Sequence, residues 1–244
     1  MIRALVQRRM KGMYAKAVAD YRALLRDAMP VNSDLHLLDV GCDDGDWTAQ
    51  LAEQMTIPAS QVSGIEILEH RRELAVRRGF DVRTGDIEQR WPFSDGSADV
   101  VHANQVIEHV KRLDHFTSET WRVLRPGGSV IVFTENLASW PNVVALSLGY
   151  MPFSLTNISS KGAIGNPFAL HQEWDSIGES WQHIHVLTLR ALREILEYKG
   201  FVVEHVFGAG YFPFSGTLSR TLSALSPKRA HFIGLVARRP NNAD

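Results

Sequence analysis

The stretch LLDVGCDDGDWT, residues 37–48, constrains the fold of this chain more than any other part of the sequence. The apolar run LLDV is typical of a short buried strand, and Asp46 could cap a helix that runs to about Met55. Between them, Gly41 and Gly45 permit the positive backbone angles of a tight strand-to-helix turn. Strand–turn–helix units of this kind usually bind a nucleotide-like ligand at the end of the strand.

The same alternation of strands and helices continues along the chain. Strands are predicted at residues 36–40, 61–67, 80–86, 98–104, 129–135, 202–207 and 230–239. Helices are predicted at residues 2–28, 68–79, 114–128 and 187–201. This order, with short connections, predicts an α/β protein with a Rossmann-like, doubly wound, mostly parallel sheet in three α/β/α layers.

One segment, residues 136–184, interrupts the alternation and is rich in Pro, Gly, Asn and Ser. We interpret it as an inserted cap or lid over the sheet, because it shows neither helical nor strand periodicity. The alternation resumes after it. We therefore expect a single domain over residues 1–244, with an N-terminal helix within residues 1–30.

The composition excludes several classes of protein. A formal net charge of −1 gives no bulk electrostatic attraction to nucleic acid, so no nucleic-acid partner is expected. The one cysteine, Cys42, excludes an internal disulfide framework and fits a reducing compartment. No apolar run approaches the roughly 18 residues of a membrane span. We expect a soluble cytoplasmic protein, and the sequence does not indicate its oligomeric state.

Polar residues follow the predicted strands where a doubly wound sheet binds its ligand. Glu66 ends the second strand, about 20 residues after the glycine turn, where a carboxylate that accepts hydrogen bonds from ribose hydroxyls belongs. Asp86 could accept a hydrogen bond from an exocyclic amine, and Ile87 offers an apolar face to a base. Asn104 and Glu135 end the next two strands. These positions predict a nucleoside site.

The turn itself is acidic, since Asp43, Asp44 and Asp46 stand where a pyrophosphate-binding loop carries glycine and bare N–H groups. Carboxylates close to a pyrophosphate would repel it by roughly a kcal/mol or more per pair at intermediate dielectric. The expected cofactor is therefore a nucleoside without phosphates, preferably cationic. A nucleotide- or dinucleotide-dependent enzyme on the same fold remains an alternative.

The ordered motifs LLDVGCDDG, GIEI, TGDIE, PFSDGSADVVHANQVIEHV and RVLRPGGSVIVFTEN resemble those of class I S-adenosylmethionine-dependent methyltransferases of the small-molecule type, methyltransferase domain 11-like. The resemblance covers residues 35–136 closely. It implies seven strands, an antiparallel last strand, and S-adenosylmethionine as cofactor. The cofactor-binding residues that we expect are Asp39, Gly41, Cys42, Gly45, Glu66, Ile67, Asp86, Ile87 and Asn104. The chain departs from the family at Asp43, where the family's turn carries glycine.

Four histidines are candidates for the catalytic base, namely His109, His171, His183 and His185. Methyl transfer from a sulfonium is an in-line displacement, and an oxygen nucleophile usually needs a base such as histidine to take its proton. His109 closes the motif VIEHV, where it could instead fix the following helix. His183 and His185 lie on one face of WQHIHVLT if that segment is extended. No third ligand is suitably spaced, so we expect no metal.

We expect methyl transfer to a small-molecule or glycan-like acceptor, at oxygen. A catalytically inactive methyltransferase-fold protein with a binding or regulatory role is the first alternative, and the departure at Asp43 is its support. The acceptor could contact polar and aromatic residues after the fifth strand and near the end of the chain, namely Glu135, Asn136, Trp140, Trp174, Trp181, Tyr211, Phe212 and Phe214. Tyr14, on the first helix, could close over the cofactor.

Overall fold

The computed structural model describes residues 2–159, 162–169 and 182–241, the first five of these as backbone only. Within this part of the chain, seven strands form one sheet in the order β3-β2-β1-β4-β5-β7-β6. The strands are β1 (Leu37–Val40), β2 (Val62–Glu66), β3 (Asp81–Thr84), β4 (Ala98–Asn104), β5 (Leu124–Glu135), β6 (Val202–Ala209) and β7 (Phe232–Arg238).

Seven α-helices occur in the described residues. They are α1 (Ile2–Ala28), α2 (Asp46–Met55), α3 (Glu69–Arg77), α4 (Leu113–Val123), α5 (Trp140–Ser147), α6 (Leu189–Lys199) and α7 (Gly216–Leu225). None of the described helices is long and apolar enough to cross a membrane.

The sheet has the mixed strand directions that the resemblance implied. β1 pairs in parallel with β2 on one side and β4 on the other, and the register sets Asp39 opposite Gly64 and His102. At the end of β5, the N–H of Asn136 donates to the carbonyl of His231, which directly precedes β7. β7 runs antiparallel to β5. The predicted Rossmann-like α/β fold is confirmed.

The boundary between α4 and β5 differs from the prediction. The helix predicted over residues 114–128 ends at Val123, and β5 begins at Leu124 rather than at residue 129. Pro126 disfavours helical geometry in Arg125, the residue before it. In addition, the guanidinium of Arg125 binds both carboxylate oxygens of Asp99 at 2.9 and 2.8 Å, which holds the extended chain beside β4.

The sequence did not predict α7, because this helix does not bury large apolar side chains. Its buried residues are Ser219 and Ser223, four positions apart, whereas Leu218 and Leu225 are exposed. Apolar periodicity, the usual signal of a helix, is therefore absent from the buried face. Ser219 instead accepts a hydrogen bond from the N–H of Tyr211 at 2.8 Å.

The chain divides into two compact units, which are described separately. The first comprises residues 1–24, 134–192 and 206–234, and includes the predicted cap segment, 136–184. The second comprises residues 25–133, 193–205 and 235–244. Its core contains fully buried apolar residues of β1, β2, β4 and β5, among them Leu38, Ile65 and Ile131.

Candidate functional site

Two glycines shape the turn after β1, in the second unit. Gly41 and Gly45 have φ angles of 72° and 74°, in the left-handed region that side chains disfavour. A Cβ atom on Gly41 would lie 2.7 Å from a methyl group of Val106, and one on Gly45 would lie 3.1 Å from Cα of Ala75. The turn therefore brings bare backbone close to its neighbours.

Asp43, the departure from the family's glycine pattern, occupies the left-handed region with a φ of 50°. Aspartate is among the few residues that tolerate this conformation. Its backbone N–H donates to Oε2 of Glu66 at 3.0 Å, and its side chain, 52% exposed, pairs with Nε of Arg71 at 3.2 Å. A glycine would keep the backbone contact and lose only the ion pair.

Arginines of the α3 region pair with the other two aspartates of the turn. Arg71 lies 3.5 Å from Asp44, and Arg78 lies 3.3 Å from Asp46. These partly exposed ion pairs offset part of the negative charge of the turn. They therefore weaken the argument from sequence that the turn would repel a pyrophosphate. Asp46 is the first residue of α2 and not its cap. Gly45 holds the N-cap position, and Oδ1 of Asp44 accepts the N–H of Asp46 at 3.0 Å.

Glu66, at the end of β2, is buried and held by two backbone donors. Its Oε2 accepts the N–H of Asp43 at 3.0 Å, and its Oε1 accepts the N–H of Leu68 at 2.8 Å. Burial raises the pKa of Glu66 above its ordinary value, although these two N–H groups act in the opposite direction. An ionised carboxylate has about four lone-pair sites, so both oxygens can accept further hydrogen bonds from a ribose.

Asp39 is buried within β1, and each oxygen of its carboxylate has a partner. One oxygen accepts the hydroxyl of Thr48 at 2.5 Å, and the other lies 2.6 Å from Nδ1 of His102. These contacts tie β1 to α2 and β4. Asp39 therefore orients the glycine turn through its side chain.

The thiol of Cys42 packs inside the second unit, because a Cβ atom on Gly64 would lie 2.7 Å from its Sγ. Burial, with the nearby carboxylates of Asp39 and Glu66, raises the pKa of Cys42 far above its ordinary value. A reactive thiolate is therefore disfavoured at neutral pH. Ile67, by contrast, is exposed, with 53% of its surface accessible.

The predicted base-binding residues, Asp86 and Ile87, follow β3. Oδ1 of Asp86 accepts the N–H of Glu88 at 2.9 Å, which orients the exposed carboxylate. Ile87 is half-buried, and its carbonyl accepts the indole N–H of Trp91 at 3.2 Å. Both residues are thus held in a defined turn.

The end of β4 carries a strained residue outside the expected cofactor-binding set, Gln105. Its φ is 56°, an uncommon value for a residue with this side chain. Its Nε2 and the Oδ1 of neighbouring Asn104 are both buried without a hydrogen-bond partner in the part of the chain that the structure describes. Buried amide groups normally have partners, so this pair is suited to a polar ligand. Backbone strain next to Asn104 is not visible in a single sequence.

His109 and the two further candidate histidines that the structure describes lie in different units. His109 is half-buried at the end of a short 3-10 helix, Ile107–His109, in the second unit. His183 and His185 are half-buried in the first unit. Nδ1 of His183 donates to the carbonyl of Ser154 at 2.7 Å, so the neutral ring carries its lone pair on Nε2.

Asn136 has a structural role in the first unit. Its Nδ2 donates to the carbonyls of Lys228 and Ala230 at 3.0 and 2.7 Å, and its Oδ1 accepts the N–H of Ala138. Its own carbonyl accepts a hydrogen bond from Asn142. The side chain is therefore committed to holding the segments around it.

The first unit contains a cavity of about 320 Å³. Eight apolar side chains and one histidine line it: Met10, Met13, Trp140, Pro141, Val144, Phe153, Phe212, Pro213 and His231. Phe212 and Trp140 were named from sequence, and Phe214 is exposed. His171, Trp174 and Trp181 lie outside the described residues.

His231 was missed, although the sequence contained a signal for it. His231 immediately precedes the last strand, and the resemblance implied that this strand is antiparallel. The start of an antiparallel strand lies at the carboxyl edge of a parallel neighbour, where ligands bind. Tyr14, which we considered as a cover for the cofactor, packs edge-on against His231 and Phe232 instead, with ring centroids 5.6 and 5.4 Å away.

Comparisons with known proteins agree with this architecture. A family model described as a methyltransferase domain matches residues 6–206. The ubiquinone biosynthesis O-methyltransferase of Rattus norvegicus is 28% identical over 192 residues, which cover 75% of this chain and 49% of the relative. The demethylmenaquinone methyltransferase of Lactococcus lactis is 31% identical over 127 residues, half of each chain. The chain thus spans about half the length of these curated relatives.

Solved structures share the fold at low sequence identity. An S-adenosylmethionine-dependent methyltransferase of Mesorhizobium loti superposes with a TM-score of 0.60, 18% identity and coverage of 89% of this chain and 96% of that one. The geranyl diphosphate C-methyltransferase of Streptomyces coelicolor, solved with S-adenosyl-L-homocysteine, superposes with a TM-score of 0.57 and 14% identity. The match covers 91% of this chain and 77% of that one. From the family model, which covers most of its length, this chain belongs to the class I S-adenosylmethionine-dependent methyltransferases.

Proposed function

We propose that this protein transfers a methyl group from S-adenosylmethionine to the oxygen of a small acceptor with a largely apolar body. The observation that carries the acceptor class is the cavity of the first unit, where eight of the nine described lining residues are apolar. Apolar pockets with a few polar groups are typical of sites for small molecules.

The residues of the second unit fit the cofactor. Gly41 and Gly45 expose backbone near the end of β1, and the oriented carboxylate of Glu66 suits two ribose hydroxyls. The buried amide groups of Asn104 and Gln105 still need polar partners, which a nucleoside or an amino acid moiety would supply. When bound, the cofactor supplies an activated methyl group, so the protein contributes positioning and exclusion of water.

The lining of the cavity favours an apolar acceptor over a glycan-like one. Each buried hydroxyl without a hydrogen bond costs about 1–3 kcal/mol, and a sugar carries several. Aromatic rings such as Trp140, Phe153 and Phe212 instead favour a flat or isoprenoid body. The names of the curated relatives, which refer to ubiquinone and demethylmenaquinone, agree with an acceptor of low polarity.

A transfer assay tests the proposal. Methyl-labelled S-adenosylmethionine is supplied with a panel of hydroxylated quinols, hydroxylated isoprenoids and short glycans. We expect label in the quinols or isoprenoids and none in the glycans. Transfer only to glycans, or transfer to none of the acceptors, would contradict the proposal.

A substitution in the cavity gives the matched test. Val144→Trp places a large side chain at a half-exposed lining position, so it narrows the cavity with little strain on the core. We expect KM for the acceptor to rise at least about tenfold, because displaced apolar contacts are worth about 1–3 kcal/mol. Leu225→Trp, on the exposed surface of α7, is the control and leaves KM unchanged. Equal values of KM for the acceptor in both variants would show that the acceptor does not bind in this cavity.

A further inference from the structure

We propose that the first unit docks on the surface of a bilayer that contains anionic lipids, through the exposed side of α5 and the basic residues beside it. The inference goes beyond the proposed function, because this contact depends on exposed residues and needs no acceptor. It also gives an apolar acceptor a source, since the same side of α5 borders the cavity of the first unit.

The exposed side of α5 is apolar. Trp140 and Val144, four positions apart and so on one side of the helix, are 40% and 52% exposed, and the C-cap residue Leu148 is 65% exposed. The buried side of the same helix carries Asn142 and Ala145. A surface helix normally turns its apolar side toward the core. The reversed arrangement in α5 therefore indicates a surface that contacts an apolar partner.

The exposed side of α5 also borders the cavity. Trp140 and Val144 both line the cavity, and both are partly exposed, so the cavity lies next to the proposed contact surface. An apolar ligand that enters the cavity from a bilayer at this place stays in an apolar environment throughout, and the cost of exposing it to water is avoided. A bilayer therefore suits this surface and the cavity beside it together.

Basic groups lie beside the apolar side of α5. The guanidinium carbon of Arg229 lies 5.1 Å from the centroid of the Trp140 ring, and its Nη1 donates to the carbonyl of Ala138 at 3.2 Å. Lys228, the preceding residue, is exposed. Tryptophan is enriched at membrane interfaces, where its ring lies at the level of the lipid headgroups, and neighbouring cations are attracted to anionic lipids. Trp140 and Arg229 have this combination.

The charge of the first unit fits an anionic surface. Over its full residue ranges, eleven Lys and Arg residues stand against five Asp and Glu residues, although the whole chain has a formal net charge of −1. Of the two acidic residues that the structure describes in this unit, Asp20 lies 3.5 Å from Arg220 and Glu135 is buried. Each basic residue near an anionic bilayer strengthens binding by about fivefold.

An anionic bilayer also fits this surface better than a second copy of the chain. In a two-fold symmetric contact the same patch faces itself, so Lys228 and Arg229 of the two copies would approach one another. Like charges brought together in this way repel. Lipid phosphates instead pair with these cations while the acyl chains contact α5.

A sedimentation assay with vesicles tests the proposal on the full-length protein. Vesicles of pure phosphatidylcholine are compared with vesicles of equal parts phosphatidylcholine and phosphatidylglycerol, without cofactor or acceptor. We expect the partition coefficient for the anionic vesicles to exceed that for the neutral ones by at least about tenfold, and to fall as salt screens the attraction. Equal partition into both kinds of vesicle, or binding to neither, would overturn the proposal.

Leu148→Glu tests the apolar side of α5. Leu148 is not among the described residues that line the cavity, and the substitution places a carboxylate where we expect contact with lipid. The partition coefficient for anionic vesicles should fall at least about tenfold. Val31→Glu is the matched control, because Val31 is 64% exposed and belongs to the second unit, and it should change partition by less than about threefold. Equal losses in the two variants count against the contact through α5.

Lys228→Glu tests the basic residues beside α5 in a second, independent way. It reverses one exposed charge and should weaken binding to anionic vesicles by at least about tenfold. Arg77→Glu, at an exposed position of α3 in the second unit, makes the same change in net charge and should have little effect. If the two variants lose binding to the same extent, the bilayer does not lie beside α5. Circular dichroism spectra that match the wild type show that each variant is folded.

The outcomes separate docking from catalysis. If the wild type binds anionic vesicles but methylates no acceptor in the panel, the proposed function fails and the docking surface stands. If it methylates an acceptor but does not bind vesicles, only the docking proposal fails. A dimer in sedimentation velocity that Leu148→Glu dissociates, without vesicle binding, would show that a second copy covers α5 and would also overturn the proposal.

Discussion

At the scale of single residues, the orientation of Asp43 shows how an aspartate fits the turn at the position where the family carries glycine. Its backbone N–H is used by Glu66 and its carboxylate faces Arg71, so the side chain supports the turn from outside. The hypothesis of a catalytically inactive protein rested on this residue, and the geometry gives it no support. A glycine-like backbone angle, rather than a glycine, is what the turn requires.

Asp43→Gly therefore tests the turn directly. We expect the dissociation constant for S-adenosylmethionine to change by less than about threefold, because an exposed ion pair is worth only about 0–1 kcal/mol. Isothermal titration calorimetry measures it. A change of more than tenfold in either direction would mean that the Asp43 side chain contacts the cofactor.

Glu66 predicts a pH dependence of cofactor binding. Burial raises its folded-state pKa, so the carboxylate takes up a proton at a higher pH than an exposed glutamate does. Because that pKa lies above the unfolded value, protonation favours the folded state, and Glu66 contributes no stability that is lost on acidification. The protonated form accepts fewer hydrogen bonds, so affinity for S-adenosylmethionine should fall as the pH falls through this raised pKa.

Glu66→Gln is the matched variant for this pH effect. It should weaken binding at neutral pH by roughly 10–100-fold, since hydrogen bonds to a charged group are worth about 1.5–3 kcal/mol. It should also flatten the pH dependence, because an amide does not titrate in this range. A variant with the affinity and pH profile of the wild type would show that Glu66 does not bind the ribose.

At the scale of elements, the close approach of α2 and α3 depends on Gly45. Its φ of 74° almost equals that of Gly149, at 76°, but the surroundings differ. A Cβ atom on Gly45 would meet Ala75 at 3.0 Å, whereas nothing lies within 4 Å of one on Gly149. Comparing alanine substitutions at Gly45 and Gly149 therefore separates the effect of the backbone angle on stability from the effect of steric crowding against α3.

We expect Gly45→Ala and Gly149→Ala each to lower the free energy of unfolding by about 1–2 kcal/mol, because alanine disfavours the left-handed angle. Gly45→Ala should lose a further amount of about 1–3 kcal/mol of unfolding free energy, because the new methyl group overpacks against Ala75. Denaturant titration of the two variants gives the difference. Equal stabilities would show that α2 and α3 adjust without cost.

At the scale of the whole molecule, features set by local sequence patterns could be predicted, whereas features set by contacts between distant residues could not. Strands β1 and β4 were predicted because their apolar runs are buried. β4 matches the prediction residue for residue, from Ala98 to Asn104. The candidate cofactor residues could be proposed from the sequence because they follow strands at fixed spacing, and their role stays a prediction. By contrast, α7 buries serines, and the cavity is assembled from residues as distant in sequence as Met10 and His231. Neither periodicity nor local spacing encodes such contacts.

The central claim is that this chain binds S-adenosylmethionine through the turn after β1 and Glu66. Isothermal titration calorimetry of the wild type and of Glu66→Ala, with S-adenosylmethionine and with NAD, tests it most directly. We predict one site per chain for S-adenosylmethionine, weaker binding by about 1–3 kcal/mol in Glu66→Ala, and no comparable binding of NAD. Tight binding of NAD, or an affinity for S-adenosylmethionine that Glu66→Ala leaves unchanged, would contradict the account.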